Sequence, residues 1–196
     1  TYHVCNSKIA PSWVKDMLDQ KLLPGKPIRK IAGIVGTDLD PVNGLNHGDV
    51  ITYTPWGEIA YQIGGKDGYK LVEKSDLSGT APGAAVLEKL VGDDPALIMI
   101  DEIARYLRVA QGKVVGKSTL SDQIAPFLMS LFEMAASKSK VVVIYTLAGL
   151  DDAFAGETEE FSQALQKALQ ESKSVSARKE YVITSADETE IAAIVS

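Results

Sequence analysis

The stretch ALIMIDE at residues 96–102 is a short apolar run that ends in two adjacent acids. Residues 93–95, Asp-Asp-Pro, separate it from the preceding segment. A run this short and this apolar is typical of a strand that is buried on both faces of a parallel sheet. The two acids then lie at the carboxyl end of the strand, where open α/β sheets place their ligand sites.

Two interpretations of the acid pair are open. In the Walker B pattern of P-loop ATPases, the first acid, here Asp101, serves a magnesium ion, and the second, here Glu102, orients the attacking water. Alternatively, the acids only begin the next helix, because negative side chains stabilise a helix N-terminus. The Walker A sequence G-x-x-x-x-G-K-[ST] that accompanies a Walker B strand does not occur in the chain.

Composition sets broad limits on the class of protein. The 196 residues fit a single domain, and the net charge of −6 offers no general attraction for nucleic acid or an anionic membrane. The single cysteine, Cys5, excludes an internal disulfide. No apolar run approaches the roughly 18 residues of a membrane span, and no signal peptide opens the chain, so we expect a cytoplasmic protein.

Hydrophobic periodicity predicts alternating strands and helices. Thr54 and Pro55 are expected to begin a helix that ends at Gly64-Gly65, with a connection over 66–79. The other predicted helices cover 12–23, 82–91, a segment from about Glu102, 124–135 with Pro126 in its first part, 157–171 and 187–196. The predicted strands cover 28–35, 96–101, 140–146 and 181–184, and the predicted irregular loops cover 38–49 and 111–119.

This alternation predicts an α/β fold with a mostly parallel sheet and helices on both faces. The element order is that of a three-layer P-loop NTPase core without its first strand and phosphate loop. Residues 1–196 are therefore interpreted as one domain, a partial core whose last helix, 187–196, is truncated.

The segment TPWGEIAYQIGG at residues 54–65 resembles the T-x-W-G-E-x-A-x-Q-x-G-G signature of the DUF499 family. Other segments match that family in the same order, namely 81–83, 97–106 and 178–191. Its members are large, mainly prokaryotic proteins that are classed with the AAA+ ATPases, and a G-K-T phosphate loop precedes this region in them. The resemblance implies a middle slice of a longer ATPase.

The resemblance also implies roles for individual residues. Asp101 would hold magnesium, through water, and Glu102 would polarise the nucleophilic water. Thr146 matches the position of a polar sensor, although a hydroxyl that satisfies a strand end is an equal alternative. Arg178 is a candidate trans-acting arginine, with Arg105 and Arg108 as competitors, although a surface arginine is the commoner explanation.

The implied ligands are ATP and magnesium in the intact protein, and neither is expected to bind tightly to this chain alone. Without its first strand the sheet would leave edges exposed, so we expect self-association, a rearranged sheet or an N-terminal segment in the gap. Nothing supports nucleic-acid binding beyond the lysines of residues 111–119, and no membrane contact is expected.

Several other residues invite a functional interpretation. Trp56 is expected to pack in the core rather than to bind a ligand, whereas the polar Glu58 could be exposed and face a partner. The segment GKVVGKST at 112–119 imitates a Walker A loop but has one residue too few between its glycines. His3, His47 and Cys5 lack metal-ligand spacing.

Two functions therefore stand. In one, the chain is part of a magnesium-dependent AAA+ ATPase that drives remodelling, with a family-level association to DNA or to defence against foreign DNA. In the other, it is a non-catalytic structural or interaction domain with a P-loop-like fold. The acid pair favours the first, and the missing Walker A sequence favours the second for this polypeptide.

Overall fold

The computed structural model describes residues 11–17, 19, 21 and 23–146. In chain order its elements are α1 (Ser12–Met17), β1 (Lys30–Val35), β2 (Leu45–Asn46), β3 (Ile51–Thr52), α2 (Pro55–Ser78), α3 (Ala84–Val91), β4 (Ala96–Asp101), α4 (Ile103–Ala110), β5 (Val114–Val115), β6 (Ser118–Thr119), a 3-10 turn (Ser121–Gln123), α5 (Ile124–Ser137) and β7 (Val141–Tyr145). The predictions for 157–171, 181–184, 187–196 and Arg178 lie outside these residues.

The described part of the chain confirms an α/β fold with a parallel sheet. Its three long strands are ordered β1–β4–β7, and both neighbours run parallel to β4. The apolar run at 96–101 is therefore the central strand, as its sequence predicts. Two pairs of strands are joined through helices, which is the connection that parallel strands require. The three-layer P-loop arrangement remains a prediction.

The two faces of this sheet differ. Ala32, Ile98 and Val143 occupy equivalent positions on one face, which packs into a single hydrophobic core with side chains from α2, α3, α4 and α5. Because side chains alternate along a strand, the opposite face carries Leu97 and Val142. Leu97 is buried, whereas Val142 keeps 54% of its surface exposed. The second face is thus apolar and incompletely covered at β7.

Helix α2 is longer than its sequence predicts. It does not end at the two glycines but continues to Ser78, across a kink at Gly65, where φ is 58° and ψ is −148°. The predicted connection at 66–79 was therefore wrong. Glycine can adopt this backbone conformation without a steric penalty, so Gly65 redirects the helix instead of stopping it. The true end is Gly79, which has left-handed backbone angles.

The two segments expected to be irregular loops contain short hairpins. Strands β2 and β3 pair antiparallel within and just after the segment predicted as the first loop. Strands β5 and β6 pair around Gly116-Lys117, where Gly116 has a φ of 62°. Both pairs are only two residues long on each side, too short for periodicity to reveal.

Helix α5 shows where Pro126 lies relative to the start of the helix. The 3-10 turn precedes it, and the α-helix begins at Ile124, so the proline lies in the first turn, where its missing N–H costs nothing. Phe127 and Leu131 on its predicted apolar stripe are fully buried. None of the helices in the described ranges combines the length and hydrophobicity that spanning a membrane requires.

Candidate functional site at the carboxyl edge of the sheet

The acid pair lies at the carboxyl ends of the three parallel strands. Asp101 is the last residue of β4 and is paired in register with Val35 at the end of β1. Thr146 directly follows β7, which is the other neighbour of β4. The sheet therefore brings Asp101, Glu102 and Thr146 together, although 44 residues separate the last two along the chain.

Hydrogen bonds connect Thr146 to both acids. Its hydroxyl donates to Oδ1 of Asp101 and accepts the backbone N–H of Glu102 at 3.3 Å. Its own N–H donates to the carbonyl of Ile100 at 2.9 Å, which extends the pairing of β7 with β4. Asp101 and Thr146 are exposed, so their oxygens are accessible to a ligand at this edge. The arrangement agrees both with a sensor hydroxyl and with a threonine that satisfies a strand end.

A glycine that sequence reasoning did not single out lies against the acid pair. Gly36 follows β1, and its N–H donates to the carbonyl of Asp101 at 2.8 Å. A Cβ atom on Gly36 would overlap the carbonyl of Glu102, so no larger residue fits without a shift. A glycine directly after a predicted strand was the available signal, but its partner is 66 positions away and only the fold identifies it.

The arginine candidates are placed unequally. Arg105 lies one turn after the acid pair, with its Nε 3.8 Å from Oε2 of Glu102. Both side chains are substantially exposed, so water screens this pair and its contribution to stability is small. Arg108 is exposed further along α4. Arg178 lies outside the described residues.

The side chains at this edge match the ligands that proteins use for magnesium. They do not form a metal site that consists of protein ligands alone. Within the described ranges, no group of three or more histidine, cysteine, aspartate or glutamate side chains could hold a metal ion. Magnesium commonly uses one or two carboxylates and takes its remaining ligands from water and substrate phosphates. One accessible carboxylate beside a hydroxyl, as in Asp101 and Thr146, fits that pattern.

The segment at residues 54–65 forms the first half of α2, and a buried carboxylate organises its start. Thr54 is the N-cap, and its hydroxyl accepts the N–H of Gly57 at 3.1 Å while donating to Oδ1 of Asp76 at 2.5 Å. Asp76 also accepts bonds from the Tyr69 hydroxyl and the Tyr53 N–H. A Cβ atom on Gly57 would overlap the Asp76 carboxylate. Two signature positions, Thr54 and Gly57, thus serve one internal contact.

Glu58 is a second buried carboxylate in this segment. Its Oε2 accepts bonds from the Thr52 hydroxyl at 2.6 Å and from Nε2 of His47 at 2.8 Å, and its Oε1 accepts one from Gln62 at 2.7 Å. The His47 ring stacks on Tyr61 with a centroid distance of 4.0 Å. Glu58 therefore connects the β2–β3 hairpin to α2, and the alternative of a partner-facing residue was wrong.

Gln62 connects the same helix to the sheet. Its side-chain amide accepts the N–H of Gly33 at 2.7 Å and donates to the Gly33 carbonyl at 3.0 Å. Gly33 is in β1, which is a terminal strand of the described sheet. The polar positions of the signature segment are thus occupied by contacts within the fold.

A family model, the DUF499 N-terminal domain, matches residues 29–181, which is well over half of the chain. The chain belongs to the DUF499 family. The match confirms the family resemblance that the signature segment indicates. Searches of curated proteins and of solved structures found no match.

Trp56 confirms the expectation of a packing anchor in the DUF499 signature. It is completely buried, and its ring meets that of Phe127 at a centroid distance of 5.3 Å. Its indole N–H has no hydrogen-bond partner among the described residues, an unusual cost for a buried donor. Burial of the large ring offsets this cost and attaches α2 to α5.

The Walker-A-like segment of this DUF499 chain has the wrong structure for a phosphate loop. It forms the β5–β6 hairpin, whereas a phosphate loop joins a buried strand to a following helix. Lys113 donates to the carbonyl of Pro41 at 2.8 Å and lies over the Tyr53 ring. Lys117 is exposed at the turn. The segment is a short structured hairpin rather than the expected irregular loop.

Proposed function

We propose that this DUF499 chain supplies the metal- and water-handling half of a magnesium-dependent ATPase site of the AAA+ type. The observation that carries the proposal is the contact between Thr146 and the Asp101–Glu102 pair. It places two acids and a hydroxyl from adjacent parallel strands at the carboxyl edge of one sheet, where ligands of open α/β sheets bind.

Each residue has a distinct proposed role. Asp101 would hold magnesium at the β4 end, through water, and Thr146 would act as the polar sensor beside it. The bound ion would stabilise the negative charge of the transferred phosphoryl group. Glu102 accepts a hydrogen bond from the attacking water and orients it for in-line attack. Arg105 forms an exposed pair with Glu102, whereas Arg178 remains the proposed trans-acting arginine.

The phosphate-binding part of the site would come from sequence outside these 196 residues. The chain contains no G-x-x-x-x-G-K-[ST] string, and its nearest imitation is a hairpin. Strand β7 supports a place for a further strand, because it is terminal in the described sheet. ATP is the proposed ligand, and self-association or an added N-terminal segment would cover that edge.

The decisive experiment uses a polypeptide extended upstream of Thr1. We expect its added sequence to contain a Walker A string and the purified protein to release phosphate from ATP only with magnesium. Glu102→Gln should retain nucleotide binding and lower turnover by about 100-fold or more, because it removes the group that orients water. Glu133→Gln, an exposed acid on α5, is the matched control. Equal turnover in the two variants would refute the role of Glu102.

A non-catalytic interaction domain is the second candidate. The missing phosphate loop and the exposed apolar residues of β7 favour it. In that case the extended polypeptide would bind no ATP, with or without alanine at Asp101. The substitution would also leave partner capture unchanged. Magnesium-dependent ATP binding that is lost in Asp101→Ala would exclude this candidate.

A further inference from the structure

The backbone at the acid pair has an unusual conformation. Among the residues that the structure describes, Glu102 is the only one other than glycine with a positive φ, at 50° with ψ at 34°. Side chains other than asparagine and aspartate rarely adopt this left-handed region, since the Cβ atom approaches the following carbonyl. Such strain persists only where the surroundings impose it, and it concentrates at functional sites.

Contacts from both neighbouring strands impose this conformation. On one side Gly36 donates its N–H to the carbonyl of Asp101, and its missing Cβ leaves room for the carbonyl of Glu102. On the other side the Thr146 hydroxyl accepts the N–H of Glu102 and donates to the carboxylate of Asp101. The Asp101–Glu102 peptide is therefore held between β1 and β7.

We infer that Gly36 is a positioning residue for the acid pair. It admits the left-handed turn at Glu102, and this turn determines the direction in which the Glu102 side chain leaves the sheet. Asp101 can remain at the strand end while Glu102 turns away from the regular path of β4. The catalytic consequence rests on the proposed ATPase function, but the mechanical coupling of Gly36 to Glu102 does not.

A double-mutant cycle on the 196-residue chain tests the coupling without any activity. Gly36→Ala should lower the urea midpoint more than Gly33→Ala, a control in the same region where an added Cβ meets only Met99 at 3.5 Å. With Glu102→Gly already present, the loss caused by Gly36→Ala should become smaller, because residue 102 can rotate its carbonyl away. Losses of equal size in both backgrounds would overturn the inference.

Two further comparisons separate positioning from general stability. Glu102→Gly should have a higher urea midpoint than Glu102→Ala, since only glycine relieves the positive φ; an equal or lower midpoint would count against an imposed turn. In the extended polypeptide, Gly36→Ala should lower kcat by roughly tenfold or more with little change in KM for ATP, because a displaced Glu102 no longer orients the water. A wild-type extended polypeptide without turnover would defeat the proposed function, yet the midpoint cycle would still decide the coupling.

If Gly36→Ala does not fold by itself, the double variant of Gly36→Ala with Glu102→Gly decides the coupling: a double variant that folds supports the inference, and one that also fails to fold overturns it. The comparison of glycine with alanine at position 102 then tests the imposed turn separately. That pair differs by one methyl group at an exposed edge of the sheet. A higher midpoint for glycine supports the imposed turn, and equal midpoints overturn it.

Discussion

Gln62 binds both backbone groups of Gly33, accepting its N–H at 2.7 Å and donating to its carbonyl at 3.0 Å. These are the groups that an additional strand would use at the outer edge of β1. A side chain of α2 therefore occupies one edge of the described sheet, while β7 forms the other. This asymmetry favours growth of the sheet at β7, where the proposed ATPase core requires a further strand.

The first prediction concerns the edge that Gln62 protects. Gln62→Ala should expose the Gly33 groups, lower the free energy of unfolding by about 1 kcal/mol and increase self-association. Chemical denaturation and light scattering at several protein concentrations would measure these effects. Glu73→Ala, at an exposed position of the same helix, should do neither. Identical scattering from both variants would show that Gln62 does not guard the edge.

The second prediction compares two adjacent glycines in α2. Gly65→Ala should lower the free energy of unfolding by about 1–3 kcal/mol, since nothing crowds the position but its φ of 58° strains any side chain. Gly64→Ala should instead raise it by roughly 0.5–1 kcal/mol, because the site is helical and its nearest contact would be 3.9 Å away. Urea denaturation of both variants would measure the difference. Equal effects would contradict the kink.

The third prediction concerns the buried carboxylate of Asp76. Burial raises its pKa, and the hydrogen bonds from Thr54, Tyr69 and Tyr53 oppose that rise. A raised pKa in the folded state means that this group contributes most below its unfolded value, and that the contribution is lost as pH rises through the folded pKa. The stability advantage of the wild type over Asp76→Asn should therefore grow from pH 7 towards pH 4.

Asp67 provides the opposite case on the same helix. Its hydrogen bond with Lys70 lowers its pKa, so its contribution is present above the unfolded value and is lost as pH falls. Asp67→Asn should consequently approach the wild type in stability on acidification. Urea denaturation at a series of pH values would follow both variants. An Asp76→Asn difference that shrinks at low pH would mean that the hydrogen bonds outweigh burial.

The fourth prediction is that the 196-residue chain alone releases no phosphate from ATP. It lacks the Walker A loop that binds the phosphates, and Lys117 of the Walker-A-like segment at 112–119 lies in a hairpin turn. A coupled phosphate-release assay with magnesium, repeated on Asp101→Ala and Lys117→Ala, would measure this. Turnover that depends on Asp101 would refute the prediction, and turnover that depends on Lys117 would make the hairpin a phosphate site.

Local pattern predicted the elements that long apolar runs define. The strand at 96–101, the strand before Thr146 and the stripe of α5 follow from runs and spacing that need no partner to be read. The N-cap at Thr54 followed from local chemistry as well. The continuation of α2 beyond Gly64-Gly65 was not predicted, because two glycines normally end a helix. Only the packing shows that this helix bends there and continues.

The amino-acid sequence by itself determined the parallel α/β class, the central acid-ended strand and the membership signature at 54–65. Tertiary structure decided that Glu58 is buried, that Thr146 contacts Asp101, and that Gly36 lies against Glu102. The physical reason is the distance along the chain that separates the residues in contact. Periodicity and capping depend on neighbours within a few residues, whereas the contacts of Thr146 and Gly36 with the acid pair join positions that only the pairing of β1, β4 and β7 brings together. Glu58 is buried because the β2–β3 hairpin folds against α2.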